Sequence, residues 1–533
     1  MTSPRPTRPR LLLASLAAGA LLLATGCEDP SATAGAPTAS APSGPAGADN
    51  PALAAFYAQQ ITWAPCPADP AEPDAVPGLQ CGRLHVPLDY TEPATEALDL
   101  ALIKLPAAQP TQRVGSLIVN PGGPGGSGVD MVRGSTARFD GALHDHFDVV
   151  GFDPRGTGAS SPVRCLDDQQ LDLLHQQDTP RDPAQRKAAT DAADKAFSAA
   201  CQAKSGRILP FVGTRNTARD LDVLRQAVGD PKLNYLGISY GTYLGALYAE
   251  EFPTKTGRLV LDGAIDPAAD QLESAITSAI GMESSYRRFA EDCARSHAAD
   301  CPLGSDPATA PQKLEDFLEG LRNHPLNTTD GRRLTSSTGR SATDAFLFGS
   351  AQTSWPRLRE ALTAAITQQH GDLLLAAADA FNGRDEQGHY DGMVAANRAI
   401  TCADGGAATP SPEKLKEQSA KLKAQAPLTA KGTSPDDLLG ATCANWPFKS
   451  AEKAHTIRAE GSAPILVVGT TGDPATPYAD AEKLAKGFAN ATLLTREGEG
   501  HGAFGRGNAC IDTALTAYLV SGTVPAAGTR CTA

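Results

Sequence analysis

The stretch that decides the fold is "LNYLGISYGTYLG", from Leu233 to Gly245. An apolar run that predicts a buried strand ends at Ser239, and a helix-compatible segment follows directly. Ser239 lies between Gly237 and Gly241, two positions to either side. A sharp strand-to-helix turn leaves no room for side chains at those positions, so the pattern is typical of a turn that presents a nucleophile. From this stretch alone, Ser239 is either a nucleophile or part of an ordinary glycine-rich turn.

Four further apolar runs bounded by turn residues predict strands of the same kind: "SLIVN" (116–120), "FDVVGFD" (147–153), "RLVLDGA" (258–264) and "PILVVGTTGD" (464–473). They are rich in Val, Ile and Leu with little alternation, which is typical of strands covered on both faces in a mostly parallel sheet. Helix-compatible segments lie between them, such as "NTARDLDVLRQAVG". Strands that alternate with helices predict an α/β fold.

This alternation stops for about 190 residues. Between residues 268 and 459 the chain is rich in Ala, Leu, Glu, Lys and Gln and has helical periodicity, as in "PQKLEDFLEGLRNH". Strand-like sequence resumes at Ile465. We therefore expect a core formed by residues 56–267 and 460–533, with residues 268–459 inserted as a mostly helical cap.

A serine hydroxyl is a weak nucleophile without a base, so two more residues are required. When a serine stands in a turn of this kind, the chain order is Ser, then Asp or Glu, then His. Asp473 follows the strand "PILVVGTTG", and His501 lies in the glycine-lined "GEGHGAF" after the next strand. Taken singly, Asp473 could be a turn residue before Pro474 and His501 an ordinary loop histidine. Their joint placement predicts a triad of Ser239, Asp473 and His501.

The glycine-dense loop "VNPGGPGGSG" begins where the strand "SLIVN" ends. Glycine lets a backbone amide approach a substrate closely, so the loop is a candidate oxyanion site. We expect the amides of Gly123 and Tyr240 to be the two donors. A phosphate-binding loop is excluded because the Gly-Lys-Ser/Thr ending and the dinucleotide spacing are absent.

The first 27 residues predict an export signal. Three arginines precede the apolar run "LLLASLAAGALLLA", which is too short for a comfortable membrane span. Cys27 directly after Gly26 resembles the lipidated cysteine of bacterial lipoproteins, although Ala24 stands where leucine is usual. The alternative is a soluble secreted protein cut nearby. Residues 28–55 are rich in Ala, Ser, Pro and Gly and predict a flexible tether.

Cysteine content and charge restrict the remaining possibilities. Apart from Cys27 the chain has ten cysteines, which in an exported protein most often form disulfides. Sequence neighbours suggest the pairs 66–81, 165–201, 293–301, 402–443 and 510–531. The net charge of −13 argues against a nucleic-acid partner or an anionic membrane surface. No CxxC pair or histidine cluster has metal-ligand spacing, and we expect neither a metal nor an organic cofactor.

Seven segments together resemble the secreted tripeptidyl aminopeptidases related to proline iminopeptidases: "NPGGPGGSG", "GFDPRGTGAS", "YLGISYGTYLGALYAEEFP", "LDGAIDP", "VVGTTGDPATP", "GEGHGAF" and "YLVSGTVPAAGTRC". The resemblance runs from about Ile61 to the end. It implies an α/β-hydrolase fold with a helical cap and the triad named above, with Gly123 and Tyr240 as oxyanion donors. It also implies release of short peptides, commonly tripeptides, from free N-termini.

The cap residue that binds the substrate's ammonium group is not identified by the motifs. A buried cation needs a paired negative charge, and the cap offers Glu273, Glu283, Glu291, Asp292, Asp344 and Asp404. Glu283, in the apolar context "AIGMESSY", is the preferred candidate, and a solvated helix face is the alternative for each. Two other functions remain open: an ester or lipid hydrolase with the same triad, and an anchored lipoprotein that binds peptides without cleaving them.

Overall fold

The computed structural model describes residues 47, 50–67, 78–405, 410–432 and 443–532, and its centre is a ten-stranded sheet of order β1-β2-β3-β5-β4-β6-β7-β10-β11-β12. The remaining strands, β8 and β9, pair only with each other. The strands are β1 (Ala64–Pro65), β2 (Gln80–Pro87), β3 (Ala97–Leu105), β4 (Gly115–Asn120), β5 (Phe147–Phe152), β6 (Leu233–Ile238), β7 (Thr256–Asp262), β8 (Leu326–Asn327), β9 (Arg333–Leu334), β10 (Ile465–Gly472), β11 (Ala491–Glu499) and β12 (Arg530–Thr532).

The sheet is parallel from β5 through β12 and antiparallel only at the β1-β2-β3 edge, including the β3–β5 pair. All five apolar runs form strands of the parallel part. Every residue of β4 is buried, because helices cover both faces of the sheet. The α/β-hydrolase fold is therefore confirmed, with the parallel strand ends at one common edge.

Helices of the core cover the two faces with separate apolar layers. Leu224 and Leu244 belong to one layer, and Phe139 and Leu515 belong to the other. The helices are α1 (Ala54–Tyr57), α2 (Gly128–Gly134), α3 (Ala142–His146), α4 (Asp168–Gln176), α5 (Pro183–Ser205), α6 (Thr214–Ala227), α7 (Tyr240–Glu251), α16 (Tyr478–Gly487) and α17 (Ala509–Ser521).

Between β7 and β10 the described residues are mainly helical and have an apolar cluster of their own, which includes Phe289, Leu314 and Leu362. The short β8–β9 ladder is a difference from the sequence, where no strand was expected. The helices are α8 (Gln271–Ser296), α9 (Ala310–Gly320), α10 (Ser336–Leu347), α11 (Ala351–Thr367), α12 (Asp372–Phe381), α13 (Met393–Ala403), α14 (Pro412–Gln425) and α15 (Thr429–Gly432). We call this region the cap.

One predicted boundary, the end of the tether, needs correction. The tether was predicted to reach residue 55, yet Leu53 is 2% exposed and belongs to the core, because Asn50 and Pro51 start a helical turn there. The segment after α4, which was assigned to the core, also contacts the cap: Asp178 Oδ1 accepts a hydrogen bond from the Ser337 amide at 2.8 Å. The predicted signal, Cys27 and most of the tether lie outside the described residues.

All five predicted cysteine pairs are disulfides in the structure: Cys66–Cys81, Cys165–Cys201, Cys293–Cys301, Cys402–Cys443 and Cys510–Cys531. Because disulfides persist in oxidising compartments, they indicate an exported protein. In the part of the chain that the structure describes, no helix is both long and apolar enough to cross a membrane.

Candidate active site

Ser239 stands in a strained turn between β6 and α7. Its backbone has φ 57° and ψ −125°, a conformation that costs a side-chain-bearing residue about 1–3 kcal/mol. A Cβ on Gly237 would lie 2.3 Å from the Gly241 carbonyl oxygen, and a Cβ on Gly241 would lie 2.8 Å from Asn120 Oδ1. Both flanking glycines are therefore required by space, as the sequence indicated. The turn leaves Ser239 partly exposed at the sheet edge.

Asp473 and His501 lie side by side. His501 Nδ1 is 3.0 Å from each carboxylate oxygen of Asp473, and the two side chains are 8% and 0% exposed. Asp473 also accepts hydrogen bonds from the amides of Ala475, Thr476 and Gly502 at 2.9–3.1 Å. With a carboxylate at Nδ1, the proton is held there and Nε2 is left as the basic nitrogen.

The end of β7 brings the serine turn and the histidine loop together. The Ser239 amide donates to the Asp262 carbonyl oxygen at 2.8 Å. A Cβ on the next residue, Gly263, would be 3.3 Å from His501 Cε1. Within the described residues, Ser239 Oγ makes no hydrogen bond to His501. Such hydrogen bonds are often long until substrate binds.

Asp262 is a residue that the sequence reasoning missed. Its buried carboxylate accepts hydrogen bonds from the amides of Ala503 and Phe504 at 2.9–3.0 Å, which are two and three residues after His501 in the chain. Burial raises the pKa of Asp262, while these amides and His501 oppose that rise. The carboxylate therefore fixes the loop that carries the histidine. An aspartate at the end of a buried strand, in "RLVLDGA", was the available signal.

The glycine loop after β4 lies against the serine turn. A Cβ on Gly122 would be 2.4 Å from the Ile238 carbonyl oxygen and 3.0 Å from the Tyr240 amide nitrogen. Tyr240 is the first residue of α7, so its amide has no acceptor inside the helix. The Gly123 amide also lacks a protein acceptor among the described residues. The two predicted donors thus belong to segments that touch each other.

Three cap residues contact the catalytic edge of the sheet. The Phe348 ring packs edge-on against the His501 ring, with centroids 5.1 Å apart. Asn397 Nδ2 donates to the Pro124 carbonyl oxygen of the glycine loop at 3.1 Å. Arg288 forms an ion pair with Glu499, two residues before His501. The cap therefore contacts both the glycine loop and the histidine loop.

The structure gives Glu283 a structural role rather than a free carboxylate. Its side chain is 2% exposed and pairs with Arg287 at 2.8 Å. It also accepts the amides of Leu428 and Thr429 at 3.1 and 2.8 Å. Because a cation and two amides already occupy this carboxylate, its surroundings do not support the prediction that Glu283 holds the substrate ammonium.

Most other candidate carboxylates also have partners. Glu273 completes a capping box with Asp270 and lies 3.1 Å from Lys414. Glu291 is 3.9 Å from Arg295, and Asp292 accepts from Ser296 at 2.9 Å.

Asp404 accepts the amide of Thr214 at 2.6 Å. Burial, with a contribution from Glu452, raises the pKa of Asp404 to about 7.

Asp344 is the exception. It lines a cavity of about 890 Å³ between α8, α9, α10 and the segment after α4. Its carboxylate accepts no hydrogen bond from any described residue, and Arg340 on the same helix is bonded to Glu315 instead. Burial raises the pKa of Asp344 to about 7, with Arg340 opposing the rise. Tyr286 Oη and Ser336 Oγ also line the cavity and are buried without a partner in the described structure.

The fold and this site define a class: the chain is a serine hydrolase with the α/β-hydrolase fold. The family model described as TAP-like protein matches residues 435–531. Serine protease Hip1 of Mycobacterium tuberculosis is 37% identical over 482 residues, which cover 89% of this chain and 91% of that protein.

Two further relatives carry different names. Carboxylesterase B of Mycobacterium tuberculosis is 36% identical over 549 residues, covering 99% of this chain and 98% of that protein. Tripeptidyl aminopeptidase of Streptomyces lividans is 31% identical over 486 residues, covering 88% and 86%. The chain therefore belongs to the TAP-like family of α/β-hydrolases, which confirms the resemblance found in the motifs.

Proposed function

We propose that this protein is an extracellular serine exopeptidase that releases short peptides, in particular tripeptides, from free N-termini. The observation that carries the chemistry is the buried Asp473–His501 pair at the sheet edge where the strained Ser239 turn ends. The names of two relatives, a serine protease and a tripeptidyl aminopeptidase, support a peptide substrate.

In the proposed reaction His501 Nε2 takes the proton of Ser239 Oγ, and the oxygen attacks the scissile carbonyl carbon. The amides of Gly123 and Tyr240 stabilise the oxyanion. The C–N bond then breaks, and the leaving amine takes the proton from His501. Water repeats the cycle on the acyl-enzyme, which regenerates Ser239. Asp473 holds the Nδ1 proton and stabilises the imidazolium.

We further propose that Asp344, in place of Glu283, binds the substrate ammonium. Asp344 lies in the last turn of α10, four residues before Phe348, which caps the helix, and the centroids of the Phe348 and His501 rings are 5.1 Å apart.

Ser239→Ala tests the chemistry. We expect it to abolish hydrolysis of a tripeptide chromogenic amide and labelling by a fluorophosphonate probe, because no other group forms the acyl-enzyme. Unchanged hydrolysis in this variant would overturn the assignment of Ser239. Mass spectrometry of products from a defined peptide mixture then measures the length released, and predominantly single residues or dipeptides would contradict the tripeptide assignment.

Asp344→Asn tests the ammonium site. We expect a KM about tenfold higher for the free tripeptide amide, equivalent to about 1.4 kcal/mol of lost binding, and no change for a short acyl ester. Asp292→Asn, the same change at a half-buried cap position outside the cavity, is the control. An equal effect on the amide and the ester would contradict the assignment. With the wild-type enzyme, acetylation of the peptide's N-terminus should raise KM as Asp344→Asn does for the free peptide.

A carboxylesterase is the second candidate, because one relative named Carboxylesterase B aligns with 99% of this chain. An esterase does not need a free amine on its substrate. Faster turnover of short acyl esters than of any free or acetylated peptide, with equal rates for the two peptides, would favour this second function. The binding lipoprotein alternative predicts that labelled peptide is recovered intact after long incubation.

We also propose that Cys27 carries a lipid anchor that holds the catalytic body at the outer face of the cell membrane. The five disulfides support the exported location. Metabolic labelling with a fatty-acid probe should mark the wild-type protein and leave Cys27→Ala unmarked. Equal labelling of both would contradict the anchor.

A further inference from the structure

One cap helix, α13, contacts the glycine loop directly, and the residue after it is linked through Thr214 to Tyr240, the other proposed oxyanion donor. Ala396 and Asn397 lie against the glycine loop, where a Cβ on Gly125 would be 2.9 Å from Ala396 Cβ, and Asn397 donates to the Pro124 carbonyl oxygen. Asp404 lies directly after the end of the same helix. The Cys402–Cys443 disulfide fixes that end.

Asp404 reaches the core through Thr214. One carboxylate oxygen accepts the Thr214 amide at 2.6 Å, and the other accepts its hydroxyl. Thr214 is the first residue of α6, and the N-cap residue Gly213 supplies no side-chain acceptor. An acidic group at that position satisfies an otherwise free amide and interacts favourably with the helix dipole. The cap therefore provides the N-terminal cap of a core helix.

Thr214 in turn contacts the oxyanion turn. Its hydroxyl donates to Asp404, so it accepts the hydrogen bond of the Tyr240 hydroxyl. Thr214 is 0% exposed and Tyr240 is 8% exposed, so water does not compete well for these groups. The three side chains form a directed series from the Tyr240 hydroxyl through Thr214 to the Asp404 carboxylate. Tyr240, where the series begins, is the residue whose backbone amide is the proposed oxyanion donor.

We propose that α13 sets the geometry of the oxyanion site from the cap, with Asp404 as a positioning residue that acts on Tyr240 through Thr214. This inference rests on the proposed function, because it takes the Tyr240 amide as an oxyanion donor. The hydrogen-bonded series holds the Tyr240 side chain and thereby the orientation of the first turn of α7. The electrostatic surroundings of Asp404 also include Glu452 and Tyr243, and Glu452 pairs with Arg215.

The matched pair Thr214→Val and Thr214→Ser tests the series in the full-length protein. Valine has the same shape without the hydroxyl, whereas serine keeps it. The measurements are kcat and KM for a free tripeptide amide and for a short acyl ester, together with the rate at which a fluorophosphonate labels Ser239. Removal of an oxyanion donor costs about 100- to 1000-fold, so a misplaced donor is expected to cost about tenfold.

We expect Thr214→Val to lower kcat and the labelling rate about tenfold with both substrates, leave KM within about twofold, and be rescued by Thr214→Ser. Asp404→Asn and Tyr240→Phe should behave like Thr214→Val and add little when combined with it, because all three interrupt one series. Tyr243→Phe, the same change one turn along α7, is the control and should retain wild-type kcat. Thermal melts verify that each variant is folded, and if Thr214→Val is not, Asp404→Asn and Tyr240→Phe decide the test.

Two results would overturn the inference. An effect of Asp404→Asn confined to the KM of free-N-terminus peptides would show that Asp404 binds substrate instead. Wild-type kcat in Thr214→Val would show that the series does not position the amide. Failure of the proposed function is a separate result, because it would appear as activity retained by Ser239→Ala or as products other than tripeptides from the wild-type enzyme.

Discussion

The catalytic edge of the sheet and the cap differ in how their functional residues are held. At the edge, Ser239, Asp473 and His501 each follow a parallel strand, and parallel strands end at one side of a sheet by topology. In the cap, acidic residues with similar sequence surroundings differ because their partners come from distant positions. The Leu428 and Thr429 amides donate hydrogen bonds to Glu283, whereas the Asp344 carboxylate accepts no hydrogen bond from the described residues. The order of the strands therefore identifies the catalytic residues at the sheet edge. The helical periodicity of the cap does not identify which of its carboxylates is functional.

The largest effect is expected for Asp473→Asn, at the catalytic edge of the sheet. An amide at this position can donate to Nδ1 and favour the wrong histidine tautomer, so we expect kcat to fall about 10⁴-fold with little change in KM. Asp480→Asn is the control, because that carboxylate lies on α16 and faces Lys483 and Asp266 instead of the histidine. Stopped-flow or steady-state hydrolysis measures both. A loss of less than about tenfold would mean that Asp473 does not orient His501.

Gly122→Ala tests the contact between the glycine loop and the serine turn. The added Cβ would be 2.4 Å from the Ile238 carbonyl oxygen, and Gly122 has φ +93°. We expect about 100-fold lower kcat, because the loop must move away from Tyr240. Gly229→Ala is the matched control: it has φ +84° but open space for a Cβ, so it should cost about 1 kcal/mol of stability and leave kcat unchanged. Equal kcat in both variants would contradict a functional contact.

The α/β fold and the candidate residues at the sheet edge could both be predicted from the sequence, for the same physical reason. Apolar runs without alternation identify buried parallel strands, and the residue after each run is then at the carboxyl edge. Side-chain partners across the chain are not encoded in any local pattern. This explains why Asp262 was missed, why Leu53 was assigned to the tether, and why Glu283 was preferred for its apolar context. That context reflects burial beside Arg287 and the start of α15.

The role proposed for Asp344 predicts that binding of peptide substrates depends on pH. Burial raises its pKa to about 7, so the carboxylate is neutral below that pH and cannot pair with an ammonium group. We expect KM for free tripeptide amides to rise as the pH falls through about 7, and to rise again above about 8 as the substrate amine loses its proton. Asp344→Asn should remove the lower inflection and leave the upper one. If the lower inflection of KM persists in Asp344→Asn, a group other than Asp344 is responsible for it.

The smallest effect on catalysis is expected for Glu283→Gln. This variant distinguishes a carboxylate that stabilises the cap from one that binds substrate. Glutamine keeps acceptor capacity but loses the charge that pairs with Arg287, so we expect the free energy of unfolding to fall by about 1–3 kcal/mol. KM and kcat should stay within about twofold, because the carboxylate faces the Leu428 and Thr429 amides.

Asp344→Asn should show the reverse pattern. Its raised pKa means that the folded protein binds more protons than the unfolded chain between about pH 4 and 7, so the charged carboxylate weakens folding as the pH rises through this range. At pH 8 the asparagine variant should therefore melt no lower than the wild type while its KM is raised. Thermal melts and steady-state kinetics on the two variants measure both properties. If Glu283→Gln raised KM without lowering the melting temperature, Glu283 would have a role in substrate binding, contrary to this prediction.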